Sequence, residues 1–180
     1  MKNNNLRNLI LMALFAAVIA CLSQIAIPMP SGVPITLQTF AVALTGMVLG
    51  WKRATISTVV YVLLGAVGVP VFAGFSGGFG IIIGMTGGFI IGFIAMALLC
   101  GIKPEHKVLG IVFGIAGLLV CHILGAVWFS VVSQTGIIAS FLAVSVPYLI
   151  KDVISVVAAF LVAFPIRKGL EAVERRSVAA

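Results

Sequence analysis

Charge is scarce in this sequence. Only 8% of its 180 residues are Asp, Glu, Lys or Arg, and four acids stand against eleven Lys and Arg. About a quarter of the residues of an average soluble domain are charged, so the composition argues against a soluble protein. The chain is instead 62% apolar, with a mean hydropathy of +1.31. These values are typical of an integral membrane protein.

Motifs for metal, redox or nucleotide chemistry are also lacking. Cys21, Cys100 and Cys121 stand singly with no CxxC spacing, and His122 has no His or Cys three or four residues away. We therefore expect no metal site and no bound cofactor. The sequence contains no GxxxxGK[ST] loop, so the chain should not hydrolyse ATP itself. Its net charge of +7 is not gathered in one patch, which indicates a lipid-facing basic surface rather than nucleic-acid binding.

Long apolar runs are what the sequence does contain. They predict an all-α integral membrane protein whose single domain, residues 1–180, has six spans. The spans are expected at about 9–26, 35–49, 54–69, 81–101, 108–133 and 139–165. A span needs about 20 apolar residues. The second and third are short, so they should be helped by the loops that follow or end partway within protein.

Charge placement predicts the orientation. The first, third and fifth loops carry no charge, whereas the N-terminus, second loop, fourth loop and C-terminus are basic. The cations concerned include Lys2, Arg7, Lys52, Arg53, Lys103, Lys107, Arg167, Lys168, Arg175 and Arg176. By the positive-inside rule both termini are cytoplasmic. The three uncharged loops, at 28–34, 70–88 and 133–136, would then meet outside as a lid.

Residues 70–88, PVFAGFSGGFGIIIGMTGG, are glycine-rich yet too apolar for an ordinary flexible linker. Irregular backbone at membrane depth survives only where protein buries it or where it lines a cavity. The stretch therefore predicts a re-entrant or cavity-covering loop. A plain glycine-rich turn between closely packed helices is the alternative.

Lys151 and Asp152 are the exception to the charge pattern, because they lie inside the last span. A charge at a helix centre costs about 2.5–3.5 kcal/mol on insertion scales and usually marks a ligand or ion path. Neighbours on a helix point about 100° apart, so we expect the two not to face each other. A substrate site is favoured over a structural pair with backbone or Gln38. Gln38 itself would either cap the loop or bind a solute, and Phe89 and Trp128 would either stack on a flat ligand or pack in the core.

Four stretches resemble the BioY family, the biotin-binding substrate components of energy-coupling-factor transporters. They are IPMPSGVPITLQT (27–39), GWKRATIS (50–57), LLGAVGVPVFAGFSGGFGIIIGMTGG (63–88) and PYLIKD (147–152). The resemblance implies a six-helix protein of the bacterial cytoplasmic membrane that takes up biotin from outside. It also implies partners, namely a transmembrane scaffold subunit and two cytoplasmic ATPases. Ala13 and Ala17 resemble the family's small-residue motif that docks on the scaffold.

The resemblance also implies roles for single residues. Ser76 matches the polar position of the family's glycine loop, and Asp152 matches the Asp of its last helix. Asp152 would accept from the ureido N–H groups of biotin, Ser76 or loop amides would donate to the ureido carbonyl, and Phe and Trp would enclose the rings. Family members commonly have Lys three residues after the Asp, where this chain has Ser155. This shift leaves open which group meets the biotin carboxylate, and Lys151 is the candidate if its side chain turns toward the cavity. Phe89 stands where Tyr is usual.

Two alternatives remain at this point. Residues 74–77 read GFSG and match the GxSG motif of intramembrane rhomboid proteases, for which His122 would supply the base. That chemistry requires the Ser76 Oγ within hydrogen-bond reach of the imidazole. The rest of the loop favours a transporter over an enzyme. A substrate component for another vitamin would share the architecture and differ in its ligand.

Overall fold

The structure is a computed structural model that describes residues 2–102 and 107–179. Its elements, in chain order, are α1 (Lys2–Ser23), β1 (Ala26–Ile27), β2 (Ile35–Thr36), α2 (Gln38–Leu49), α3 (Trp51–Ala66), a 3₁₀ turn (Ala73–Phe75), α4 (Phe79–Ile83), α5 (Gly87–Cys100), α6 (Lys107–Ser133), α7 (Ile137–Val144) and α8 (Val146–Ala179). Lys103, one of the cations used for the orientation, lies outside the described residues.

Helix α2 is the centre of the bundle. Every residue of α2 except Phe40 is buried, and α2 packs against α1, α3, α5 and α8. A helix surrounded by protein on all sides need not cross the hydrocarbon layer by its own length. This burial fits a short second span that is surrounded by protein, and where that span ends in the membrane stays a prediction.

The outer helices are apolar on their exposed faces. In the described part of the chain, three helices are long and apolar enough to cross a membrane, and they lie in α1 (Asn5–Ser23), α6 (Val108–Ser133) and α8 (Val146–Val173). Helices α2 and α5 are apolar but shorter. Large side chains such as Ile138 and Ile150 are 75% and 77% exposed. Such faces suit lipid contact, and the expected helical membrane protein is confirmed.

Two expected spans are broken. The fourth, expected at 81–101, divides into α4 and α5 around Gly84, Met85 and Thr86. The sixth, expected at 139–165, divides at Ser145, and α8 continues through Pro165 to Ala179. Pro147 in the first turn of α8 favours a new helix start there. Pro165 removes one backbone hydrogen bond, which a membrane helix tolerates when its neighbours support it.

The fold is not purely helical. β1 and β2 form a short antiparallel ribbon in which Ala26 pairs with Thr36 and Ile27 with Ile35. The predicted break PMPSGVP, residues 28–34, is the loop between these strands. Strands of two residues give no hydropathy period, so the sequence pattern did not predict them. The ribbon holds the first loop over the helix ends.

Gly88 lets α5 approach α6 closely. A Cβ built on Gly88 would lie 2.3 Å from the Trp128 Cβ and 2.6 Å from the Leu124 carbonyl oxygen. Neither distance is compatible with a side chain, so glycine is required here by packing. Helix α5 packs along α6 over its length.

We predict that Gly88→Ala separates α5 from α6 and lowers the free energy of unfolding by about 1–3 kcal/mol, as overpacking does. The measurement is the thermal unfolding midpoint of the detergent-purified chain. Gly110→Ala is the matched control, because a Cβ there meets only the Phe160 ring at 3.5 Å, an ordinary contact. Equal midpoints for the two variants would contradict the packing argument.

Candidate functional site

A cavity of about 640 Å³ lies between the helix ends and the loops. Its walls come from the first loop and the start of α2, the glycine stretch and α5, the middle of α6, and α8. The residues that decide its chemistry are Gln38, Ser76, Phe89, His122, Lys151 and Asp152. Small-molecule sites commonly have volumes of 300–1,000 Å³ and mostly apolar walls with a few polar groups. The cavity fits that description.

The glycine stretch forms one wall of this cavity. It contains the 3₁₀ turn and α4, and Gly74 and Gly78 adopt φ values of 66° and 105°. These left-handed conformations favour glycine because it has no Cβ. Ser76 lines the cavity, and its Oγ donates to the Ala73 carbonyl at 2.8 Å. The expected cavity-covering loop is confirmed.

Side chains from the turn after α1 and from α6 hold the glycine stretch in place. The Phe75 N–H donates to Gln24 Oε1 at 2.7 Å, and Gln24 Nε2 donates to the Val71 carbonyl at 3.2 Å. On the other side the Trp128 indole N–H donates to the Gly84 carbonyl at 3.0 Å. The described residues that line the cavity do not include Trp128. Trp128 therefore supports the loop through Gly84. It does not line the cavity, contrary to the expectation that it would enclose a ligand.

The first loop is held by α8. The Tyr148 hydroxyl donates to the Val33 carbonyl at 2.6 Å, and Lys151 Nζ donates to the Thr36 carbonyl at 2.8 Å. A Cβ on Gly32 would lie 3.2 Å from Met85 Sδ, so the first loop touches the glycine stretch. The loop at 133–136 contributes none of the described lining residues. Two loops close the cavity, where the sequence predicted three.

Asp152 is the centre of a buried charged cluster. Its side chain is 5% exposed, its Oδ2 lies 3.1 Å from His122 Nε2, and its Oδ1 forms an ion pair with Lys151. The expectation that Lys151 and Asp152 do not face each other is wrong. The four-carbon Lys side chain is long enough to bend back to the carboxylate of the next residue. All three side chains line the cavity.

His122 was not assigned to the site from the sequence. It is buried, and its ring lies edge-on to Phe89 with the centroids 5.8 Å apart. Nδ1 is buried with no hydrogen-bond partner in the part of the chain that the structure describes. Its Nε2 shares a hydrogen bond with Asp152, which links α6 to α8. A lone polar residue in an apolar helix was the available signal, but its partner lies 30 residues away in sequence.

Gln38 is held by its neighbours and also faces the cavity, so its role toward a solute stays a prediction. Its Oε1 accepts from the Thr36 Oγ1 at 3.0 Å and its Nε2 donates to the Tyr61 hydroxyl at 2.6 Å. It also lines the cavity. Its amide is thus fixed by neighbours while one face of the side chain remains in contact with the open volume.

Ser76 and His122 do not form the catalytic pair of a serine protease. Ser76 Oγ bonds to the Ala73 carbonyl and His122 bonds to Asp152. No hydrogen bond between Ser76 and His122 occurs among those of the described residues. The described residues also contain no group of three His, Cys, Asp or Glu that could hold a metal ion.

The cavity is mostly apolar, contains one charged cluster and is closed by two loops. Such a cavity in a membrane helix bundle defines a membrane protein that binds a small molecule. The chain belongs to the BioY family, whose sequence profile matches residues 1–172. Members of this family are transport proteins and not enzymes.

Relatives of similar length share the whole domain. The probable biotin transporter BioY of Pyrococcus horikoshii is 38% identical over 153 residues, which cover 85% of this chain and 91% of the relative. The biotin transporter BioY of Thermotoga maritima is 39% identical over 167 residues, covering 91% and 97%. The crystal structure of the S-component for biotin from an ECF-type ABC transporter superposes with a TM-score of 0.86 at 25% identity, covering 93% and 94% of the two chains.

Proposed function

We propose that this chain binds biotin in the cavity and works as the substrate-specific component of an energy-coupling-factor transporter. The observation that carries the proposal is Asp152, a buried carboxylate that faces a mostly apolar cavity beside Lys151 and His122. The names of its relatives and of its structural neighbour support biotin as the ligand.

The cluster matches a cyclic urea. A ureido ring presents N–H donors beside a carbonyl acceptor, and Asp152 beside Lys151 presents an acceptor next to a donor. Asp152 would accept from a ureido N–H, and Lys151, which has three donors, would donate to the carbonyl. Charge-assisted bonds of this kind are the stronger ones, and a dry site strengthens them further. When His122 Nε2–H donates to Asp152, its Nδ1 is a further acceptor for the ligand.

This assignment changes the role expected for Lys151. The sequence made it a candidate for the biotin carboxylate, at the other end of the ligand from the ureido ring. Because Lys151 contacts Asp152 in the structure, we propose that both act on the same end. Ser76 would turn its one O–H from the Ala73 carbonyl to a ligand oxygen on the loop side, while Phe89 and Gln38 form the adjoining wall.

We further propose six membrane crossings in the bacterial cytoplasmic membrane, with both termini cytoplasmic. The cavity lies near the C-terminal end of α1, whereas Arg7, Arg53 and Arg167 gather near its N-terminal end. This separation of charge supports the orientation. The partners would be a transmembrane scaffold subunit and two ATPase subunits. Ala13 and Ala17 are exposed on α1 and would remain available for docking.

The orientation predicts which cysteine variants an impermeant maleimide reaches in intact cells. Thr135→Cys should be labelled from outside, whereas Lys168→Cys should be labelled only after permeabilisation. Both native residues are exposed in the structure, so accessibility within the fold is matched. The exposed Cys21 is first replaced by Ala. Labelling of Lys168→Cys in intact cells would contradict the orientation.

Asp152→Asn should weaken biotin binding roughly 50-fold, because a hydrogen bond to a charged group contributes about 1.5–3 kcal/mol. Equilibrium binding of radiolabelled biotin to the detergent-purified chain measures the change. Glu171→Gln is the control, since it removes a carboxylate that lines a different cavity. A monodisperse Asp152→Asn chain with unchanged affinity would remove Asp152 from the site. Competition with other vitamins tests whether biotin is the preferred ligand.

Lys151→Met should weaken binding of biotin and of biotinamide to the same degree, by about tenfold or more. The reason is that the two ligands share the ureido ring and differ only in the charge of the tail. Competition of each ligand against radiolabelled biotin gives the two ratios. A loss confined to biotin would show that Lys151 meets the carboxylate and would overturn the placement at the ureido end.

A further inference from the structure

A second cavity lies at the opposite end of the bundle from the first. Its volume is about 320 Å³, and three arginines from three helices line it: Arg7 of α1, Arg53 of α3 and Arg167 of α8. Glu171 is the acid among its described lining residues. The described lining is therefore strongly cationic, and the cations come from segments far apart in sequence.

Arg53 is held in a fixed position. Its Nε donates to the Leu49 carbonyl at 3.0 Å and its Nη1 donates to the Asn8 Oδ1 at 2.9 Å. A guanidinium has five N–H donors, so further donors of Arg53 remain for a ligand. Planar guanidinium forks match the oxygens of a phosphate group. A preorganised arginine in a cationic cavity therefore points to an anion with phosphate geometry.

The surroundings of the cavity favour a lipid phosphate over a free anion. Leu11, Leu170 and Val173 line the same cavity and give it an apolar side. Trp51, two residues before Arg53, is 49% exposed, and the Lys52 ammonium lies 5.1 Å from its ring centroid. Exposed Trp side chains are enriched at the level of the lipid headgroups. The cavity thus has the mixed chemistry of the membrane interface.

We propose that this basic cavity binds the phosphate of an anionic phospholipid headgroup, with an acyl chain along its apolar side. Basic pockets between membrane helices bind anionic headgroups in this manner. The bound lipid would bridge α1, α3 and α8 at the end of the bundle where their arginines converge.

The test compares two pairs of substitutions in the purified full-length chain. Arg53→Gln with Arg167→Gln removes two charges from the cavity. Lys52→Gln with Lys168→Gln removes two charges from exposed positions one residue away. Native mass spectrometry in mixed micelles of phosphatidylglycerol and phosphatidylcholine measures the lipid that each chain retains. Size-exclusion chromatography checks that every variant is monodisperse, and Arg53→Lys with Arg167→Lys provides a charge-preserving variant.

The wild-type chain should retain phosphatidylglycerol in preference to phosphatidylcholine. The arginine pair should weaken phosphatidylglycerol binding roughly twentyfold, the Arg→Lys pair should restore part of it, and the lysine pair should change it less than about threefold. Equal losses in the arginine and lysine glutamine pairs would indicate diffuse surface attraction and overturn the site. Displacement of the lipid by millimolar inorganic phosphate would overturn the lipid as its ligand, as would an absence of headgroup preference.

Discussion

The rest of the structure depends on the pairing of Asp152 with His122 and Lys151 inside an apolar bundle. A carboxylate buried in a membrane helix is costly unless other charges and hydrogen bonds compensate it. His122 from α6 and Lys151 from α8 provide that compensation. Lys151 also donates to the Thr36 carbonyl, so the same cation holds the first loop in place. Site chemistry, helix packing and closure of the cavity are thereby linked through one cluster.

The two loops that close the cavity follow a second constraint. Backbone polar groups at membrane depth must find partners within the protein. Here the partners are side chains, since Gln24, Tyr148 and Trp128 each donate to a loop carbonyl. The loop edges are therefore fixed to α6, to α8 and to the turn that follows α1. Phe75 and Phe79, in contrast, are 72% and 65% exposed at the outer side of the glycine stretch.

Hydropathy and charge predicted the membrane class, the loop that the glycine stretch forms at the cavity, and Asp152 as a charge inside the last span. They did not predict the ion pair of Lys151 with Asp152 or the supporting role of Trp128. Hydropathy reports how apolar a segment is, but it does not show which polar groups meet between segments. His122 and Asp152 are such a case, because α6 and α8 bring them together. The interruption at residue 145 was missed for a similar reason, since Val144 and Val146 flank it, whereas residues 84–86 belong to the glycine stretch, which the fourth expected span overlapped.

The position of the lysine can be understood from helix geometry. The resemblance noted in the sequence implies a Lys three residues after the Asp, at the position of Ser155. Residues four apart lie on the same helix face, so Lys151 and Ser155 are neighbours one turn apart. Both line a shallow groove between α2 and α8, which confirms the shared face. A lysine moved by one turn on that face still reaches the carboxylate, because its side chain is long and flexible. The ion pair of Lys151 with Asp152 therefore explains how the cluster keeps its cation although position 155 is a serine.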